Sequence, residues 1–145
     1  MSAIKLVIPI TTAFLCACAQ APKVHLAALR NTGFERNWDT ATILAIDNKR
    51  FSEPKQEIQV AAGQHVVLFG VSYMRGFMSK PIEAQVPLLA TFEPNHDCYA
   101  RGLPGSDGVT LGVWLFDKNT SKPVASAFAY NEEFSKLSAS TPKKR

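Results

Sequence analysis

This sequence predicts an all-β fold, a small antiparallel β-sandwich or partly open barrel of roughly six to eight short strands. Three observations carry that expectation. Apolar residues alternate with a period of two in several segments. Nine prolines and eight glycines in 145 residues supply turns at close spacing. No segment beyond the N-terminal stretch keeps a helical period over about ten residues. The length leaves room for one domain, and 46% hydrophobic with 19% charged residues suits an ordinary core.

The chain is organised around QEIQVAAGQHVVLFGVSY at residues 56–73, a pair of strands joined at Ala62-Gly63. From residue 65 onward one parity carries His65, Val67, Phe69, Val71 and Tyr73, and the other Val66, Leu68, Gly70 and Ser72. A strand that is apolar on both sides needs cover on both, so this one is expected at the centre of the fold.

In chain order, Lys5 followed by an apolar run that Pro9 interrupts reads as a secretion signal over residues 1–17, too short to span a bilayer. The tetrapeptide Leu15-Cys16-Ala17-Cys18 resembles the lipobox of bacterial lipoproteins, in which the last cysteine receives diacylglycerol. Cys16 stands where a small Ala, Ser or Thr is usual. The competing reading is an ordinary cleavage site at Ala17-Cys18-Ala19. Acylation of Cys18 implies a membrane anchor in which each buried methylene contributes about 0.8 kcal/mol. By the same resemblance, Ala19 in place of Asp implies the outer membrane, with the domain facing the periplasm or the cell surface. Residues 18–37 then read as a lipidated tether, with Val24, Leu26 and Leu29 giving only patchy periodicity.

The domain is expected over residues 38–130. Residues 42–47, TILAID, are strand-like, and Asp47-Asn48 suits a turn with a left-handed backbone. Residues 51–55 read as a loop stopped by Pro54. Ile58 and Val60 point inward from a short alternating strand. Ile82, Ala84, Val86, Leu88, Ala90 and Phe92 oppose Glu83, Gln85, Pro87, Leu89 and Thr91, a half-buried strand that Pro87 places at an edge or bulge. Residues 96–101 make a short strand and 101–108 a glycine-containing loop. Residues 109–117 set Leu111, Val113 and Leu115 against Trp114 and Phe116, and 123–128 form the last strand. Residues 131–145 lose apolar pattern and read as a disordered basic tail.

The succession ILAIDNK, IQVAAGQHVVLFGVSY, ATFEPNHDCYAR and VWLFDKNTSKPV resembles small uncharacterised bacterial lipoproteins whose domains are similar to PEGA-type and transthyretin-like β-sandwich modules. It covers about residues 42–124 and departs at Asn48, where glycine is usual. The shared features are turn chemistry, so the resemblance implies a fold and leaves function open.

The net charge of +4 owes much to Lys143-Lys144-Arg145. No basic face interleaved with aromatics is present, which argues against nucleic acid as a partner. His96-Asp97-Cys98 is the most reactive-looking cluster, yet only His65 has a route to its face and a structural zinc needs four ligands. Cys98, single once Cys16 is removed and Cys18 acylated, is expected to be buried as a small hydrophobe. No nucleophile, base and orienting group can be assigned, so neither enzyme nor cofactor is expected and no residue is assigned as catalytic or as a metal ligand. The remaining candidates are contact residues. Met74, Arg75, Phe77 and Met78, in a loop over residues 74–81, suit an envelope protein partner or the membrane. Phe77 folded back into the core is the competing reading. Trp114 and Tyr73 suit a glycan-binding face, against a core role for both. The expected function is a non-enzymatic outer-membrane lipoprotein acting as a binding or accessory subunit of an envelope assembly, the alternative a glycan- or cell-wall-binding module.

Overall fold

A computed structural model of the chain describes residues 21–30, 37–75, 81–104 and 110–130. The described residues form nine strands and no helix: β1 (Lys23–Ala28), β2 (Asn37–Ile46), β3 (Lys49–Lys55), β4 (Glu57–Ala61), β5 (Gly63–Arg75), β6 (Ile82–Phe92), β7 (Cys98–Pro104), β8 (Thr110–Asp117) and β9 (Pro123–Tyr130). They make two sheets, β4-β1-β7-β8-β9 and β3-β2-β5-β6. The sheets enclose one main core. Phe69, Val67, Val86, Leu88 and Phe92 come from one side, and Val24, Leu26, Val60, Val113 and Leu115 from the other. The fold is a β-sandwich.

β5 is central in its sheet, as the sequence implies. It pairs with β2 from Asn37↔Arg75 to Ile46↔Val67 and with β6 from Gly63↔Phe92 to Tyr73↔Ile82. Its two parities are treated differently, however. Val67, Phe69, Val71 and Tyr73 are buried, whereas Val66 is exposed and Leu68, Gly70 and Ser72 are only half-covered. A bulge in β2 explains why an apolar outer parity is tolerated. The register steps from Ile43↔Phe69 to Ala45↔Leu68, so Leu44 and Ala45 both turn outward and lie beside Gly70 and Leu68.

Ala62-Gly63 does not join neighbouring strands. β4 pairs with β1 in one sheet and β5 with β2 in the other, so this junction carries the chain across the sandwich. Gly63 takes φ 125°, a backbone that side chains strongly disfavour. The hairpin at Asp47-Asn48 has φ 47° and 64°, the left-handed pair expected there.

Four expectations are corrected. Residues 23–28 are not tether: β1 lies between β4 and β7, with Val24 and Leu26 fully buried. The domain therefore begins upstream of residue 38. The sandwich is not wholly antiparallel, because Leu26↔Cys98 through Ala28↔Ala100 pair in parallel. Beyond β1 the Leu29 N–H donates to the Ala100 carbonyl at 2.9 Å while the Leu29 carbonyl accepts from Ala41 N–H at 3.1 Å. The chain thus stays hydrogen-bonded as it changes sheets. Residues 49–55 are a strand despite Pro54, because β3 pairs only with β2 and an edge tolerates a missing donor. Residues 101–104, assigned to a loop, continue β7. Gly102 there lies so close to the opposite sheet that a Cβ would meet Val71 Cγ1 at 2.7 Å. Pro87, by contrast, sits on edge strand β6 as anticipated. Residues 1–20 and 131–145 lie outside the described residues, and with them the signal, Cys18 and the tail.

If β1 is a core strand, Leu26→Ala lowers unfolding free energy by about 2–5 kcal/mol in urea denaturation. Leu29→Ala, at an exposed position, changes it by less than about 0.5 kcal/mol.

Candidate functional site

β7, β8 and β9 commit one parity to the core: Cys98, Ala100 and Gly102, then Leu111, Val113 and Leu115. The period of two therefore sends Tyr99, Arg101, Trp114, Phe116, Ser126 and Phe128 to the outer face of the five-stranded sheet. Register brings them together, through Tyr99↔Phe116, Arg101↔Trp114 and Trp114↔Ser126. The Tyr99 and Phe116 rings stack with centroids 5.1 Å apart and planes 16° apart. Trp114 and Phe128 meet edge to face at 5.9 Å and 85°. Both arrangements are favoured by ring quadrupoles. Phe128 lies over Gly112, which cannot carry a Cβ without striking its ring. The site is thus an aromatic strip across three strands.

Phe128 and Val124 remain 44% and 48% exposed, large values for side chains of their kind. Arg101 adds a cation beside Trp114. Its Nε lies 3.6 Å from the carboxylate of Asp39, a buried residue of β2, so the guanidinium is anchored at the margin of the strip.

Of the residues singled out from sequence, Trp114 is on this face and half-buried. Tyr73 is not. It is 7% exposed and packs inside with Ile82 and Leu111, because it shares the parity of Val67, Phe69 and Val71. No surface unites it with Trp114. Met74 is half-buried near the end of β5. The Arg75 side chain, Phe77 and Met78 lie outside the described residues. Tyr99, Phe116 and Phe128 were missed as a group, although each alternates with a core residue. The signal that unites them is cross-strand register, which sequence does not display.

The His96-Asp97-Cys98 cluster comes apart. β7 starts at Cys98, so His96 and Asp97 belong to the preceding turn. His96 Nδ1 lies 2.7 Å from Asp117 Oδ2, and Asp97 accepts the His25 backbone N–H at 3.0 Å. Cys98 is 4% exposed. Burial, with the charges of Asp117 and Asp97, pushes its thiol up to about 11, which opposes nucleophilic use at neutral pH. His65 sits elsewhere, with ring nitrogens 2.5 Å from Asp47 Oδ2 and 2.8 Å from the Ala61 carbonyl. Among the described residues no three His, Cys, Asp or Glu side chains gather as a metal site would need.

Apart from the strip, a groove of about 530 Å³ lies on the outer face of the four-stranded sheet, floored by Gly70, Thr42 and Leu44. Arg50 reaches across this sheet to Gln85 at 3.1 Å. The groove is lined by hydroxyls and aliphatics together with the Gln85 carboxamide and the Glu83 carboxylate.

Comparison with protein-family models finds no match, and neither the curated proteins nor the solved structures provide one.

The hydrogen bond that His96 donates to Asp117 raises the His96 pKa, and the same bond lowers that of Asp117, helped by the Asn119 and Thr120 N–H groups. A raised histidine contributes stability fully below its unfolded pKa and loses it as pH rises through the folded value. A lowered carboxylate contributes above its unfolded pKa and loses it as pH falls through the folded value. Both contributions are complete only between the ordinary carboxylate and histidine ranges. Histidine NMR titration of Asp117→Asn is expected to return His96 to the ordinary histidine value. Separately, Cys98 in the native protein should react with a bulky thiol reagent at least about a hundredfold more slowly than in urea.

Proposed function

We propose that this chain is a non-enzymatic, outer-membrane lipoprotein, anchored through an acylated Cys18. Its β-sandwich serves as a binding or accessory subunit of an envelope assembly. The observation that carries the reading is the strip formed by Tyr99, Phe116, Trp114 and Phe128 on a face that the domain's own core does not use. Aromatic residues with a neighbouring arginine are the side chains that dominate protein interfaces, since they bury large area with few rotatable bonds. The contact is thereby moved from the loop at residues 74–81 to the β7-β8-β9 surface.

A second reading, a glycan- or cell-wall-binding module, is favoured by the outward placement of Trp114 next to Arg101 and Ser126. A ring for a sugar's apolar face and polar groups for its hydroxyls would then be adjacent. Tyr73 takes no part in it.

The two readings separate experimentally. With a photoreactive residue at position 99 in the native envelope, an accessory subunit yields an adduct with one other protein. Trp114→Ala then lowers co-purification about tenfold or more at an unchanged unfolding midpoint. A glycan module instead yields no protein adduct and binds purified cell-wall polymer, with that retention lost in Trp114→Ala. Neither adduct nor retention would sink both.

A further inference from the structure

We propose that the sandwich docks directly on phosphate-bearing lipid head groups, through the end at which β1 begins. This rests on the reading of Cys18 as the acylated residue, and it specifies how the anchored domain is presented. A tether over residues 18–37 would let the domain drift well away from the bilayer. The fold shortens that tether. β1 starts at Lys23, and the Pro22 carbonyl already accepts the Ala62 N–H at 2.7 Å. Only residues 19–21 then separate the anchor from the folded domain. From Cys18 to Pro22 the extended chain reaches at most about 14 Å. β5, with 13 residues, is about 43 Å long. A domain standing on its opposite end would therefore lie beyond the reach of its own anchor.

Register identifies what else lies at this end. Lys23↔Ala61 marks the end of β4, Gly63↔Phe92 the end of β6, and Ile46↔Lys49 the β2–β3 turn. The parallel pairing of β1 with β7 adds the start of β7, and Cys98↔Asp117 adds the turn between β8 and β9. The cations here are Lys23, Lys49, Arg50, Lys118 and Lys122, all exposed. The acids are Asp47, Glu93, Asp97 and Asp117. Asp97 and Asp117 are half-buried and turned to the His25 N–H and the His96 ring. Asp47 is taken up by His65 and the Val66 N–H, and Glu93 is exposed. Cations thus stand outermost on the end that the anchor holds against the bilayer. Beside an anionic lipid surface each strengthens adsorption about fivefold. The anchor selects a bilayer as the occupant, and the charge order selects its phosphates.

Docking also sets the height of the aromatic strip. Tyr99 is the second residue of β7 and Val124 the second of β9, so the strip begins at the membrane-facing end. Phe128, further along β9, lies about 13 Å beyond Val124. A partner for the strip approaches along the membrane surface, and one held in the same membrane meets it at raised effective concentration.

The test uses the full chain with its native anchor, purified from the envelope and reconstituted in vesicles of phosphatidylethanolamine and phosphatidylglycerol. A small thiol-reactive fluorophore is placed at Asn119→Cys, in the β8–β9 turn, or at Glu83→Cys, near the opposite end of β6. Both positions are exposed, and Cys98 is buried. A nitroxide on the lipid head group, which quenches at near-contact range, is expected to quench the first label and leave the second bright. An insertion of about twenty Gly/Ser residues after Ala19 lets the domain drift by roughly 25 Å. Quenching at position 119 is expected to persist in this extended form, because the cations hold the end down. Lys118→Gln combined with Lys122→Gln is then expected to lower the ratio of docked to free domain about tenfold or more. Equal quenching at the two positions overturns the proposal. So does an extended form that is unquenched on these vesicles or indifferent to the lysine changes. Intact mass reads the premise separately: a mature chain without acyl groups on Cys18 removes the anchor, and the proposal with it.

Discussion

The rest of the structure depends on β5 being hydrogen-bonded on both sides. Its pairing with β2 and β6 fixes which of its side chains face inward, and Val67, Phe69 and Val71 then form a buried row. A strand with a neighbour on each side cannot rotate to trade faces, and a slip of one residue would turn that row to solvent. The inner parities of β2 and β6 are set by the same registers. Against this row the second sheet presents Val24, Leu26, Ala100, Val113 and Leu115.

Holding two sheets together from one chain requires crossings, and each is secured locally. At residues 28–30 the backbone bonds to β7 and β2 in succession. Near the β4–β5 crossing, His65 bridges the Asp47 carboxylate and the Ala61 carbonyl, while the other Asp47 oxygen accepts the Val66 N–H. The bonds from His65 and Val66 hold the Asp47 carboxyl below the usual carboxylate range. A histidine on an apolar strand, which could be read as a ligand, thus has a structural task. It ties a left-handed turn and a sheet crossing to the end of the central strand.

With the main core closed by aliphatic residues, Phe69 and Phe92, and Tyr73 packed inside with Ile82 and Leu111, the aromatics of β7, β8 and β9 are displaced outward. Phe116 and Trp114 cannot turn inward, because Leu115 and Val113 already occupy that parity. Gly112 makes room for Phe128 above the sheet. The outer face of the five-stranded sheet therefore differs from that of the four-stranded one, where threonines, Ser72 and the Leu44 bulge make a groove. Aromatic area that does not serve the core is available for recognition, and this asymmetry separates the two faces chemically.

Much of the fold was legible because period-two alternation is a local property. It marked β2, β4, β5, β6, β8 and β9 and the inward set of β6, while turn-forming residues marked the left-handed pair at Asp47-Asn48 and the cysteine count marked the burial of Cys98. It failed at β1, whose Val24–Leu26–Ala28 alternation is too short to stand out from a linker. Only pairing with β4 and the parallel β7 shows it to be core. It failed at β3, where Pro54 reads as a break until the strand is seen to be an edge. Tyr73 and Trp114 show the same limit at the candidate site. Sequence marks each as an aromatic on a strand, but the side of the sheet and the neighbours come from register. By itself the sequence determined an all-β chain with a central apolar strand and an edge strand bearing Pro87, because hydropathy period and backbone restriction act within a few residues. The tertiary structure alone decided which strands share a sheet and which aromatics gather on its outer face, since both depend on hydrogen bonds between residues far apart in the chain.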